Sequence, residues 1–77
     1  MKIRVESFAS YRDYTRALPE DKSMEVPQGT SVAQVLAMLG VPEDAPRIVL
    51  VNGRARPSET VLAAGDHLVF FPPLEGG

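Results

Sequence analysis

The sequence has no cysteine and no tryptophan, and its only histidine is His67. Missing cysteines exclude a disulfide framework, a thiolate metal site, an iron–sulfur cluster and a cysteine nucleophile in this chain. One histidine, with no carboxylate cluster at ligand spacing, leaves no metal motif, so no metal site is expected. His67 follows the Gly65-Asp66 turn at the start of a strand pattern and reads as a surface position. Positive charge is not in surplus either. Eight Lys and Arg face ten Asp and Glu, giving a net charge of −2 and a pI near 5.2. A nucleic-acid binder normally needs a basic face, so none is expected. No long apolar run exists, and Lys2 and Arg4 break up the start of the chain, so neither a signal peptide nor a membrane span is read there. These absences fit a cytoplasmic protein that is monomeric when free.

What is present is a small core and a regular order of elements. The 77 residues are 44% apolar, enough for one domain near the lower size limit for folding without staples. Lys2 to Glu6 alternates charged and apolar residues, predicting a half-buried strand with Ile3 and Val5 inward and Phe8 closing that face. Tyr11, Tyr14 and Leu18 share a helical spacing between a possible Ser10 cap and Pro19, predicting a short amphipathic helix. Glu20-Asp21 makes a polar turn, and Lys22 to Val26 reads as a strand with Met24 and Val26 inward. The clearest helix starts at Ser31. Ser31-Val32-Ala33-Gln34 fits a capping box, Val32, Val35, Leu36 and Leu39 share one face, and Gly40 suits the C-terminal cap. The continuous run Ile48-Val49-Leu50-Val51 predicts a strand buried on both faces or nearly so. Asn52-Gly53 signals a tight turn, and His67 to Phe71 forms the last strand.

That order predicts an α+β domain: a mixed sheet of four to five strands packed on one main helix, with the first and last strands side by side at its centre. This is the β-grasp, or ubiquitin-like, architecture. Residues 1–71 form the domain and 72–77 an extended C-terminal tail. Pro72 and Pro73 fix φ and favour an extended backbone, so the end projects from the last strand. Gly76 and Gly77 lack a Cβ and make the thinnest peptide available, able to enter a channel closed to other residues. In the last strand Leu68 and Phe70 share one face, and Val69 and Phe71 the other. With Leu68 and Phe70 in the core, Val69 and Phe71 would form an apolar patch beside the tail, suited to docking. The alternative places Phe71 under the loop carrying Tyr11 or Tyr14. Arg54 and Arg56 either steer an acidic partner or are plain surface charge; with Arg47 they surround one turn.

Lys2 to Val5 with Phe8-Ala9, Gly29-Thr30-Ser31-Val32, Val51-Asn52-Gly53, Ala64-Gly65-Asp66 and Phe71-Pro72-Pro73-Leu74-Glu75-Gly76-Gly77 occur in order. Together they resemble the MoaD/ThiS family of ubiquitin-like sulfur-carrier proteins over essentially the whole chain. The Phe-Pro-Pro-x-x-Gly-Gly tail is similar to that of the molybdopterin synthase small subunit. Glu75 departs from the small residue usual before the diglycine, and the compact Gly40–Ile48 segment is closer to thiamine-type carriers.

The resemblance implies that the chain is no enzyme and binds no cofactor. The Gly77 carboxylate would be the reacting group, presented on Pro72, Pro73, Leu74, Glu75 and Gly76. A ubiquitin-activating-like adenylyltransferase would join it to AMP with ATP and Mg. A persulfide sulfur donor would then leave a thiocarboxylate on Gly77. An acceptor such as the molybdopterin synthase large subunit would take that sulfur, in molybdopterin or tungsten cofactor synthesis. Thiamine-type carriage, another sulfur pathway, a protein modifier conjugated through Gly77, and a plain interaction module are the competing readings.

Overall fold

The structure, a computed structural model, describes residues 1–73. Five strands make one sheet: β1 (Lys2–Ser7), β2 (Ser23–Glu25), β3 (Ile48–Val51), β4 (Arg54–Ala55) and β5 (His67–Phe71), in the order β2-β1-β5-β3-β4. β1 and β5 run parallel at the centre, Arg4 opposite His67 and Ser7 opposite Phe70. The other pairs are antiparallel, with Ile48 opposite Phe71 and Leu50 opposite Val69 across β3 and β5. One helix, α1 (Val32–Met38), covers one face. This is the mixed β-grasp sheet on one main helix.

Alternation sets the core. Ile3 and Val5 of β1, Val49 and Val51 of β3, and Leu68 and Phe70 of β5 are buried on the helix side. Val32, Val35 and Leu36 of α1 meet them, and Val26, Val41 and Leu62 close the margins. The capping box forms as the sequence predicts: the Gln34 backbone N–H donates to Ser31 Oγ at 3.2 Å, and the Ser31 N–H to Gln34 Oε1 at 2.8 Å. Gly40 follows the helix at φ +86°, a conformation that strains any side chain. Asn52 (φ 53°) and Gly53 (φ 83°) make the primed turn between β3 and β4. Ser31→Ala removes the accepted bond at the helix start. It is expected to cost about 1 kcal/mol, about 4–8 °C in Tm by thermal denaturation.

Three local expectations change. Phe8 does not close the inner face; it is 50% exposed, because the period of two puts Ser7 there instead. Ser7 Oγ is satisfied by Thr15 Oγ1 at 2.8 Å, and the two hydroxyls are buried together. The segment read as an amphipathic helix from Ser10 is a 3₁₀ helix, Ala9–Thr15, and its N-cap position is Phe8, with no side-chain cap from Ser10. Its three-residue turn eclipses i and i+3, which stacks Tyr11 and Tyr14 edge to face at 5.6 Å, each 6.3 Å from Phe70. The third change is in β3. Val49 and Val51 are buried, Ile48 is exposed and Leu50 half-buried, so the run is not buried on both faces. A single helix covers one side only.

Candidate functional site: the open sheet face at the root of the tail

The face turned away from α1 divides in two. On β3 and β5, Ile48 pairs with Phe71 and Leu50 with Val69, and Ala55 of β4 lies beside Leu50. These residues form an apolar strip, with Ile48 37% exposed and Leu50, Val69 and Phe71 half-buried. On β1 and β2 the same face carries Lys2, Arg4, Glu6, Ser23 and Glu25. His67 lies on the boundary. It is not a free surface residue: its Nε2 meets Glu6 Oε2 at 2.5 Å with both side chains partly shielded. The Asn52 side chain braces this end, accepting the His67 N–H at 2.9 Å and donating to Asp66 Oδ1 at 3.0 Å. At the turn into β2, hydrogen bonds from Ser23, its side chain first, hold the Asp21 carboxyl below its ordinary value.

The strip runs to the last residue of β5 and continues into Pro72 and Pro73, both half-buried. Val69 and Phe71 are therefore side by side with the start of the tail. The tyrosines pack on Phe70, on the opposite face of β5 from Phe71, which favours the patch over the buried alternative. Leu74, Glu75, Gly76 and Gly77 lie outside the described residues.

The two arginines do not join this strip. Arg54 pairs with Val51, which faces the helix side, and Arg56 continues along the exposed edge with its N–H on the Val49 carbonyl at 3.1 Å. Arg47 is engaged in the loop before β3, donating to the Pro42, Glu43 and Ala45 carbonyls at 3.1, 3.2 and 3.3 Å. Sequence reasoning missed Ile48 and Leu50 as site residues. Four apolar residues in a row on a sheet with one covering helix must place two on the open face, and that count was available. Nothing in the sequence pointed to the Glu6–His67 pair, which joins strands 61 positions apart.

Among the described residues no cluster of three His, Cys, Asp or Glu could hold a metal ion, and no helix is long and apolar enough to cross a membrane. The described part of the site is an apolar strip that ends at Pro72-Pro73, with the Glu6–His67 pair at its margin; among the described residues no acid, base and nucleophile set converges on it.

The fold is shared with proteins of known structure. SAMP1 of Haloferax volcanii is 26% identical, with a TM-score of 0.71 over 100% of both chains. A Pyrococcus furiosus protein described as a candidate molybdopterin converting factor, subunit 1, is 25% identical, with a TM-score of 0.73 over 96% of this chain and 99% of that one. Subunit 1 or 2 of the molybdopterin-converting factor complex of Helicobacter pylori matches at 18% identity and a TM-score of 0.60, over 100% of both chains. No curated protein matches. The ThiS family model matches residues 5–77. This chain belongs to the ThiS family, the β-grasp sulfur carriers that are not catalysts but substrates of partner enzymes.

Proposed function

We propose that this protein carries sulfur as a thiocarboxylate on Gly77, for molybdopterin or tungsten cofactor synthesis. The observation that carries the reading is the apolar strip of Ile48, Leu50, Val69 and Phe71, continuous with Pro72-Pro73 at the base of a Gly76-Gly77 end. A carboxylate is a poor electrophile, so a ubiquitin-activating-like adenylyltransferase joins Gly77 to AMP, using ATP and Mg. A persulfide donor then attacks the acyl carbon, AMP leaves, and reduction of the acyl disulfide by a thiol releases the thiocarboxylate. An acceptor enzyme of the molybdopterin synthase large-subunit kind docks on the strip and receives the tail. Similarity to the P. furiosus protein supports this acceptor class. The proline stem limits the entropy lost as the tail is threaded. Residues 1–71 act as the handle and 72–77 as the delivered end, in the cytoplasm, with no nucleic acid or membrane involved.

A second reading has its own support. Similarity to a small archaeal modifier protein favours conjugation of Gly77 to lysines of other proteins, after the same adenylation. Purified chain with candidate activating enzymes, ATP and Mg is expected to release pyrophosphate in amounts equal to the chain. In cells, an affinity-tagged chain is expected to remain a single species under the carrier reading. Covalent ladders on other proteins would establish the modifier instead, and no pyrophosphate release with any such enzyme would remove both.

A further inference from the structure

We propose that the end of the molecule from which the tail leaves is kept free of amines, so that the activated Gly77 carbonyl is not captured by the chain's own lysines. The inference rests on the adenylation of Gly77 proposed above. In an acyl adenylate a neutral amine attacks the carbonyl carbon. The C–N bond forms, the C–O bond to AMP breaks, and the amine proton passes to water. A guanidinium stays protonated at neutral pH and offers no lone pair for that attack.

The cations are divided accordingly. The sequence has two lysines, Lys2 and Lys22; the other six cationic side chains are arginines. Lys2 begins β1 and Phe71 ends the parallel β5, so the register sets them about 20 Å apart along the strands. Its Nζ lies 4.0 Å from Asp21 Oδ2. The Met1 ammonium is at the same far end, donating to the Val26 carbonyl at 2.6 Å. Lys22 is on the outer edge of the sheet, its carbonyl accepting the Val5 N–H, and Val5 is level with Leu68. That places it about 10 Å behind Phe71 and, two strands over, about 10 Å to the side.

The stem of the tail leads away from the lysines. Phe71 and Pro72 each precede a proline and are restricted to extended backbone, so Pro73 is the first residue where the chain can reverse. By then it has moved roughly 6 Å further from both lysines. The four residues beyond Pro73 extend at most about 14 Å, so even with roughly 6 Å of lysine side chain Lys2 is out of reach, and Lys22 is met only when chain and side chain are both near full stretch. The cations near the tail are all arginines. Arg47 precedes Ile48, which faces Phe71; Arg12 lies in the 3₁₀ helix that packs on the same end of β1 and β5; Arg56 is bonded to Val49, which faces Phe70.

The test prepares the full chain as a Gly77 thioester by intein cleavage with a small thiol. No activating enzyme takes part, so its outcome is separate from whether the chain is a carrier. The native thioester is expected to decay by hydrolysis alone. Arg47→Lys is expected to form an internal amide, one water lighter than the free acid, at least about tenfold faster than any internal amide in the native chain. Peptide mapping would join residue 47 to Gly77, at a rate independent of protein concentration. Arg12→Lys is expected to do the same through position 12, should lysine disturb the loop that Arg47 holds. An internal amide from Met1, Lys2 or Lys22 in the native chain overturns the proposal. So do two lysine variants that both stay linear.

Discussion

Adding one alanine after Gly77 is expected to abolish activation of this protein while leaving its melting temperature unchanged. In an adenylation a carboxylate oxygen attacks the ATP α-phosphorus as pyrophosphate leaves, so that oxygen must sit within bonding reach of the phosphorus. An extra residue moves the carboxylate by about 3.5 Å, and places a Cβ where the native end has only glycine. Misplacement by about 1 Å already costs on the order of 100-fold in rate, so the loss is expected to be at least that large. Pyrophosphate release measures the first effect and thermal denaturation the second. Among the described residues, the buried ones all precede Phe71, the last residue of β5. A variant activated at the native rate would show that activation does not depend on the chain ending in the diglycine.

Adjacent phenylalanines provide the second large contrast. Phe70 is fully buried against Tyr11 and Tyr14, and Phe70→Ala is expected to destabilise the fold by about 3–5 kcal/mol. A domain of this length holds roughly 4–12 kcal/mol in total, so that variant is at or near unfolding at ordinary temperature. Phe71, one residue on, faces the open side opposite Ile48. Phe71→Ala is expected to keep the fold and weaken partner docking by about 2 kcal/mol, roughly thirtyfold in Kd. Circular dichroism on heating and titration against an activating enzyme separate the two effects. Equal losses of stability in both variants would contradict a docking face.

The fold was largely legible because its signals are local and agree with one another. Ile3 and Val5 alternate with charges, Ser31 and Gln34 form a capping box, and Asn52-Gly53 can make a primed turn at little strain. Each rule acts within a few residues, and all three features formed. Errors came where a distant contact decided the outcome. The Tyr11–Tyr14 spacing suits an α-helix or a 3₁₀ helix, and the choice goes with packing on Phe70, far along the chain. Phe8 does not close the inner face, because the strand period gives that place to Ser7, which Thr15 then satisfies. The site was half legible. Val69 and Phe71 followed from alternation, whereas Ile48 and Leu50 required counting how many helices cover the sheet. The separation of Arg54 from the strip depended on the register of the β3–β4 hairpin, which sequence alone does not set.

The Glu6–His67 pair adds a boundary to the proposed docking face. On one side the sheet exposes apolar groups, and on the other, Lys2, Arg4 and Glu25 remain solvated. A partner that buries the strip need not desolvate the ionic half, which lowers the cost of docking.

The central claim is that Gly77 becomes a thiocarboxylate. The measurement that tests it most directly is the intact mass of the chain after incubation with an activating enzyme that adenylates it, ATP, Mg, a persulfide donor and a reductant. The account predicts a mass increase equal to exchanging one oxygen for one sulfur, located on Gly77 by fragmentation and lost when alanine follows that residue. A chain that is adenylated under these conditions yet returns at its original mass, with no sulfur on Gly77, would contradict it.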